Sequence, residues 1–173
     1  MSFQGFRSIT NPVFTTSPAA LVAITEEVLV PTLYTGIAAT ESYAGKAWEL
    51  SAGGIWSTGA SGTLVITPRI GLTIAGITLG ASAAITVPVS IANIPWQIRM
   101  RITCRTLGLA GANSTFIGSG AFISANAATA FNVMFGGTLA TADATIATGI
   151  WLGKTLSVAG SMTTIQATLE ALN

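Results

Sequence analysis

The feature that most constrains the fold of this chain is a two-residue alternation between apolar and polar side chains. It is clearest in PWQIRMRITCRT, where the apolar members are Trp96, Ile98, Met100, Ile102 and Cys104. Successive side chains of a β-strand point to opposite faces, so a period of two predicts a strand with one buried face. Further strands are predicted in AWELSAGGIWS, TLVITPRI, AAITVPV, STFIGSGAFIS, TAFNVMFGG and MTTIQATLEAL.

Clusters of turn-forming residues separate these predicted strands. They are STGASG, LGLAGANS, GGTLATAD and VAGS, rich in the small and polar residues that favour tight turns. No segment long enough for a stable helix combines helical periodicity with capping residues. We therefore predict an all-β protein that folds as an antiparallel jelly-roll-like β-sandwich. An immunoglobulin-like sandwich is less consistent with the sequence because the Cys…Trp…Cys signature is missing.

The first 24 residues differ from the rest of the chain and predict an extended N-terminal arm. They alternate little and carry three phenylalanines, which is unusual for a disordered tail. We expect residues 1–24 to dock aromatic side chains on a neighbouring subunit, with folding back onto the same domain as the alternative. The interface candidates in the arm are Phe3, Phe6, Arg7 and Phe14. Residues 25–173 are predicted to form a single sandwich domain, since their length suits one core.

The composition of the chain predicts a protein surface that is covered by other protein. Charged residues make up only 8% of the sequence, against about 25% in ordinary soluble domains. Half of the residues are hydrophobic, and the mean hydropathy is +0.68. A surface so poor in charge is expected to contact copies of itself or another protein. The net charge of +1 gives no reason to expect a nucleic-acid partner. The segment 70–98 carries no charge, but glycines and prolines interrupt it, so we expect no membrane span there.

Three arginines on one segment form the second set of interface candidates. Arg99, Arg101 and Arg105 share the polar side of the alternation in PWQIRMRITCRT. They could lie on a solvated face and pair with Glu49 and Glu170 of the same chain. They could equally contact a partner, because arginine is enriched in protein interfaces. The sequence leaves both interpretations open.

The sequence offers little material for catalysis. It has no histidine and one cysteine, which excludes Ser-His and Cys-His nucleophilic sites and makes a metal site or other cofactor unexpected. A serine–lysine pair using Lys46 or Lys154 stays open, although no spacing favours it. GIWLGKT has three residues where a phosphate-binding loop needs four, so we predict a strand there. Cys104 is predicted to be a buried thiol, and we expect the protein not to be an enzyme.

Three segments carry a resemblance to a known class of proteins. NIPWQIRMRITCRTLG, STFIGSGAFIS and the closing MTTIQATLEALN resemble, in their order and pattern, small jelly-roll virion proteins of tailed bacteriophages. The likeness covers residues 47–173 and is closest to capsid decoration and similar head-surface proteins. It implies a non-enzymatic homo-oligomer, with a trimer as the expected order, bound to the major capsid protein or another virion protein at the capsid surface.

An alternative function is a tail-fibre or tail-tip module that binds a host receptor or glycan. Such a module is expected to expose aromatic side chains at one end of the sandwich. The loops predicted around Trp56 and Tyr43 are the candidates for that role.

Overall fold

The computed structural model of this chain describes residues 8–11, 26–30, 36–39, 41–71, 76–111, 113–125 and 131–172, and these residues contain no helix. The strands, in chain order, are β1 (Ser8–Asn11), β2 (Glu27–Val30), β3 (Gly36–Ile37), β4 (Ala47–Thr58), β5 (Gly62–Ile70), β6 (Ile77–Thr78), β7 (Ile85–Val87), β8 (Ile91–Thr106), β9 (Ser114–Ser124), β10 (Phe131–Ala142), β11 (Thr148–Leu156) and β12 (Gly160–Ala171). The prediction of an all-β chain is confirmed for the described residues.

Two antiparallel sheets pack against each other. Sheet A has six strands in the order β1-β12-β4-β8-β9-β10, and sheet B has the order β2-β11-β5-β6. Two short strands extend sheet B, because β3 pairs with β11 and β7 pairs with β5. Side chains from both sheets form one hydrophobic cluster between them. The predicted β-sandwich is therefore confirmed.

The strand order is that of a jelly roll, in which a ribbon of paired strands winds around the core. Four pairings form this ribbon: β1 with β12, β2 with β11, β4 with β8, and β5 with both β6 and β7. Successive pairs alternate between sheet A and sheet B, as the two Greek keys of a jelly roll require. The hairpin of β9 and β10 is an addition that widens sheet A beyond β8.

β8 shows how the alternation in the sequence builds the core. Ile98 and Met100 are fully buried, while Arg99 between them and Arg101 after them are exposed. Trp56 meets Phe122 edge to face at 6.2 Å between ring centroids, and Trp96 stacks on the same ring at 6.5 Å. Burying side chains of this size contributes roughly 1.5–3 kcal/mol each. The predicted inward face of β8 is confirmed.

The first half of β12 corrects one local prediction. The alternation places Ile165 with Ala167 in the core and Thr164 outside, but Thr164 is buried and Ile165 is 45% exposed. The Thr164 hydroxyl donates to the Leu29 carbonyl at 2.7 Å, which joins β12 of sheet A to β2 of sheet B. The register with β4 shifts between Thr164 and Gln166, so one extra residue reverses which side chains face inward.

β10 corrects a second prediction. GGTLATAD is expected to be a turn, but the strand continues through most of it to Ala142. Gly136 and Gly137 adopt positive φ angles of 97° and 87°, and the register with β9 shifts between Gly136 and Leu139. The two glycines therefore form a β-bulge within a long strand, a conformation that glycine adopts at little cost.

The predicted N-terminal arm contains one strand of sheet A. Ser8–Asn11 pairs with β12 of the same chain, with Ser8 opposite Glu170 and Asn11 opposite Ala167. These four residues thus lie on their own domain. The interface candidates of the arm, Phe3, Phe6, Arg7 and Phe14, all lie outside the described residues, and their docking on a neighbour stays a prediction.

Candidate assembly surface

The outer face of sheet A, which points away from the core, carries the predicted arginines. Gln97, Arg99 and Arg101 are exposed along β8 and alternate with buried apolar residues. We name these three side chains the β8 ridge. Arg105 is exposed on the same strand, beyond the end of the ridge. The expected exposure of all three arginines is confirmed.

One of the three arginines pairs within the chain. Arg99 Nε donates to Glu49 Oε1 at 2.7 Å across β8 and β4. This hydrogen bond is the largest cause of a raised pKa for Arg99, and the negative charge of Glu49 is the second. The Arg99 side chain is 71% exposed, so water screens the pair and its effect on stability is small. Among the described residues, Arg101 and Arg105 form no ion pair.

A shallow groove runs over β4 beside the ridge. It has a volume of about 120 Å³, and its lining residues are Ser51, Ala52, Gly53, Gln97, Gln166 and Thr168. The groove exists because Ser51 and Gly53 are small while their neighbours on β8 and β12 are long. Its side chains offer hydroxyl and amide groups and no charge. We name it the β4 groove.

Exposed apolar side chains continue the outer face on the other side of the ridge. Ile123 of β9 is the register partner of Gln97, and Met134 of β10 is the partner of Ala121. Met134 is 68% exposed, and Leu139 on the same strand is 58% exposed. Neighbouring exposed apolar residues of this kind mark contact surfaces more often than isolated ones do.

The apolar side chains on β9 and β10 were not predicted from the sequence. β10 has apolar residues on both of its faces, so its alternation does not distinguish the buried face from the exposed one. One available signal is the absence of any charged residue from both strands. Edge strands are usually protected by charge, so an uncharged edge indicates a contact.

The buried lysine of GIWLGKT is engaged in an ion pair. This segment lies in β11, so the predicted strand is confirmed. Lys154 Nζ lies 2.8 Å from Glu27 Oε2, and the Lys154 side chain is 2% exposed. Glu26, the residue before β2, forms a two-pronged pair with Arg69, which also lies over the Trp151 ring at 5.5 Å. The charge of Lys154 is almost completely buried, and a charge buried to this extent requires an oppositely charged partner, which Glu27 provides.

Cys104 is a buried thiol, as predicted. Burial raises its pKa above the ordinary value, and its Sγ atom contacts the Thr106 carbonyl at 3.6 Å. A buried, protonated thiol is a poor nucleophile, because the thiolate is the reactive form. Packing in the core is therefore sufficient to explain why a cysteine occupies position 104.

The aromatic side chains proposed for receptor binding differ in exposure. Trp56 is buried in β4, and its Nε1 atom donates to Ser124 Oγ at 2.9 Å. Trp56 lies in the strand predicted for AWELSAGGIWS and belongs to the core, so it does not supply the exposed aromatic side chain that the receptor-binding alternative requires. Tyr43 is 41% exposed, and the Lys46 ammonium lies 5.6 Å from the centre of its ring.

The described ranges contain neither a cluster of metal ligands nor a helix that could span a membrane. In these ranges, no group of three or more His, Cys, Asp and Glu side chains is placed to hold a metal ion. No helix within the same part of the chain has the length and hydropathy needed to cross a bilayer.

Comparison with known proteins leaves this chain without a match. No protein-family model matches the sequence, and no curated protein or solved structure matches it. The function proposed below therefore depends on the sequence pattern and on the geometry of sheet A.

Proposed function

We propose that this chain is a non-enzymatic structural protein of a tailed-bacteriophage virion. In this proposal it decorates or cements the capsid as a homo-oligomer, with a trimer as the expected order. Its partners are copies of itself and the major capsid protein or another virion protein, and its place is the capsid surface. The resemblance of NIPWQIRMRITCRTLG and the closing strand to such proteins supports the virion assignment.

The observation that carries the assembly role is the outer face of sheet A. Arg101 and Arg105 are exposed there, and no described carboxylate pairs with them. Ile123, Met134 and Leu139 expose apolar surface beside them. A face that combines exposed apolar residues with arginine has the composition of a protein contact.

The engagement of three of the six carboxylates supports a structural role over a catalytic one. Glu26 pairs with Arg69, Glu27 pairs with Lys154, and Glu49 pairs with Arg99. General acid–base catalysis needs a titratable group that can reach a substrate proton. Carboxylates that are held by basic neighbours are better suited to stabilising the fold.

Two measurements test the proposal. Light scattering coupled to size exclusion should show an oligomer at micromolar concentration, with a mass at least twice the 17.5 kDa of one chain. Met134→Glu should lower that mass, while Thr86→Glu, on an exposed position of β7 in sheet B, should not. Mass spectrometry of purified virions whose genome encodes this sequence should detect the chain. A monomeric chain that is also absent from such virions would refute the proposal.

A further inference from the structure

We propose that the outer face of sheet A binds the same face of a second copy of this chain. The two-fold axis runs along the strands, between β4 and β8. The inference rests on the proposed assembly function and names the partner and the contact. β4 and β8 are adjacent strands near the middle of sheet A. An axis between them places β8 of each copy over β4 of the other, so each residue of β8 meets its own register partner in the second copy.

A row of register partners across sheet A is called a level here. At one level of this contact, the register brings opposite charges together. Arg101 and Glu49 are register partners, so Arg101 of each copy lies over Glu49 of the other, and the pair forms twice. Glu49 Oε1 accepts a hydrogen bond from Arg99 of its own chain, whereas Oε2 accepts none from the described residues. Arg101 and this second oxygen are therefore suited to pair across the axis.

The next two levels match long side chains to short ones. Arg99 is the partner of Ser51, and Gln97 is the partner of Gly53. The β8 ridge of one copy thus enters the β4 groove of the other, whose 120 Å³ of space lies over these two small residues. The hydroxyl and amide groups that line the groove can accept hydrogen bonds from the guanidinium and amide groups of the ridge.

The outer strands extend the complementarity. The same axis places β12 of one copy over β9 of the other. Glu170 is the register partner of Glu49, and Ser119 is the register partner of Arg101. Because Glu49 and Arg101 are themselves partners, Glu170 of one copy then lies over Ser119 of the other. Gln166 and the bulge residue Ile165 lie over Ile123, so two exposed apolar side chains cover each other. The contact therefore buries part of the apolar surface that is open in a single copy.

The size of the face suits a stable contact. Strands lie about 4.8 Å apart and rise about 3.3 Å per residue, so the 67 residues of the six strands present an area of about 1,000 Å². Stable complexes bury about 800 Å² on each partner. Aligned sheets pack about 10 Å apart, which leaves room for the long ridge side chains to interdigitate.

Charge reversal tests the proposed pairing. Arg101→Glu alone places two acidic residues together twice, and Glu49→Arg alone places two basic residues together twice. Each variant should weaken self-association at least about a hundredfold. An equimolar mixture of the two variants should associate again, with the two variants in a one-to-one ratio. In that mixed pair, one copy is wholly acidic and the other wholly basic at these positions.

A second variant tests the shape of the contact independently of charge. Ser51→Trp fills the β4 groove from an outward position and should weaken association, whereas Thr86→Trp on sheet B should leave it unchanged. Thermal unfolding followed by circular dichroism checks that each variant is folded. An isologous contact joins copies two by two, so trimers that use it pair into hexamers. The mass of the wild-type assembly should therefore be an even multiple of the chain mass, and an isolated trimer would contradict this contact.

The outcomes separate this contact from the broader function. Recovery of association in the mixture supports the contact. A wild-type oligomer whose mass resists Arg101→Glu and Ser51→Trp overturns it and leaves the virion assignment standing. A wild-type chain that is monomeric at about 100 µM, where a dissociation constant of 1 µM would give mostly pairs, also overturns it. Detection of the chain in virions then decides the proposed function separately.

Discussion

Replacing Glu27 by glutamine is expected to destabilise the fold, because it removes the carboxylate that neutralises a buried ammonium group. Lys154 is 2% exposed, while Glu27 is 20% exposed and reaches the solvent. The register partner of Lys154 on β5 is Ile66, which is fully buried in the core. The lysine therefore cannot recover water when its partner is lost, but the glutamate can.

The magnitude follows from this difference in exposure. Removing one partner of a buried ion pair costs about 3–5 kcal/mol, because an uncompensated charge stays inside. Glu27→Gln should therefore lower the free energy of unfolding by about 3–5 kcal/mol, a large share of the roughly 5–15 kcal/mol typical of a domain. Lys154→Met leaves only a partly hydrated carboxylate, so we expect it to cost about 1–2 kcal/mol. The double variant should recover to within about 1 kcal/mol of the wild type, since well-packed apolar residues can replace a buried pair.

Equilibrium urea unfolding of the four proteins in this mutant cycle measures these values. Glu26→Gln is the matched control, because Glu26 precedes Glu27 in sequence but pairs with Arg69, which is more exposed than Lys154. Its cost should be clearly smaller than that of Glu27→Gln. Equal costs for Glu27→Gln and Lys154→Met, with no coupling in the double variant, would contradict the reasoning from burial.

Three further predictions follow from other local contacts. Cys104, whose pKa is raised by burial, should react with a thiol reagent such as Ellman's reagent only when denaturant unfolds the chain, and rapid reaction of the native protein would refute this. Hydrogen bonds from a neighbouring threonine hydroxyl and two backbone amides lower the pKa of Asp143 from its ordinary value of 3.8. Its contribution to stability should thus be present above pH 3.8 and be lost as the pH falls through the lowered value, so Asp143→Asn should flatten the acid limb of stability measured by urea unfolding against pH. Gly54→Ala should lower the free energy of unfolding by roughly 2 kcal/mol or more, because a Cβ there overlaps the Thr163 carbonyl, while Gly59→Ala, with open space around it, should change it by less than about 0.5 kcal/mol in the same assay.

The alternation in β8 was sufficient to predict its buried face, because each apolar residue there has a polar neighbour on both sides. The bulges of β10 and β12 could not be predicted in the same way. A bulge depends on how two strands align, and β12 and β4 lie about a hundred residues apart in sequence. One unpaired residue at Ile165 then reversed the expected burial of Thr164 and of Ile165 itself.

Pro68 shows how pairing refines a sequence rule. A proline predicts an edge strand or a bulge, yet β5 lies between β11 and the short strands β6 and β7. β7 ends its pairing at Leu64 and β6 begins at Arg69, so Pro68 falls in the gap where no ladder bond to its nitrogen is needed. The physical reason for the rule holds, although the strand is interior.

The candidate surface was predictable only in part. The sequence places Arg99, Arg101 and Arg105 on one face, but it does not say which acidic residue each one meets. Cross-strand partners depend on the register of β4 with β8, and only the structure assigns Arg99 to Glu49. The β4 groove is likewise invisible in the sequence, because it results from small residues on one strand lying between long residues on two others.

The place of β12 in sheet A has a consequence for synthesis of the protein. This strand lies between β1 and β4, although it is the last of the twelve to be translated. While the ribosome still holds β12, the nascent chain has an open edge on β4, and β1 has no strand to pair with. Sheet A can therefore be completed only after β12 has emerged from the ribosome, so the emergence of this strand, rather than that of the first strands, is the step that completes the sheet.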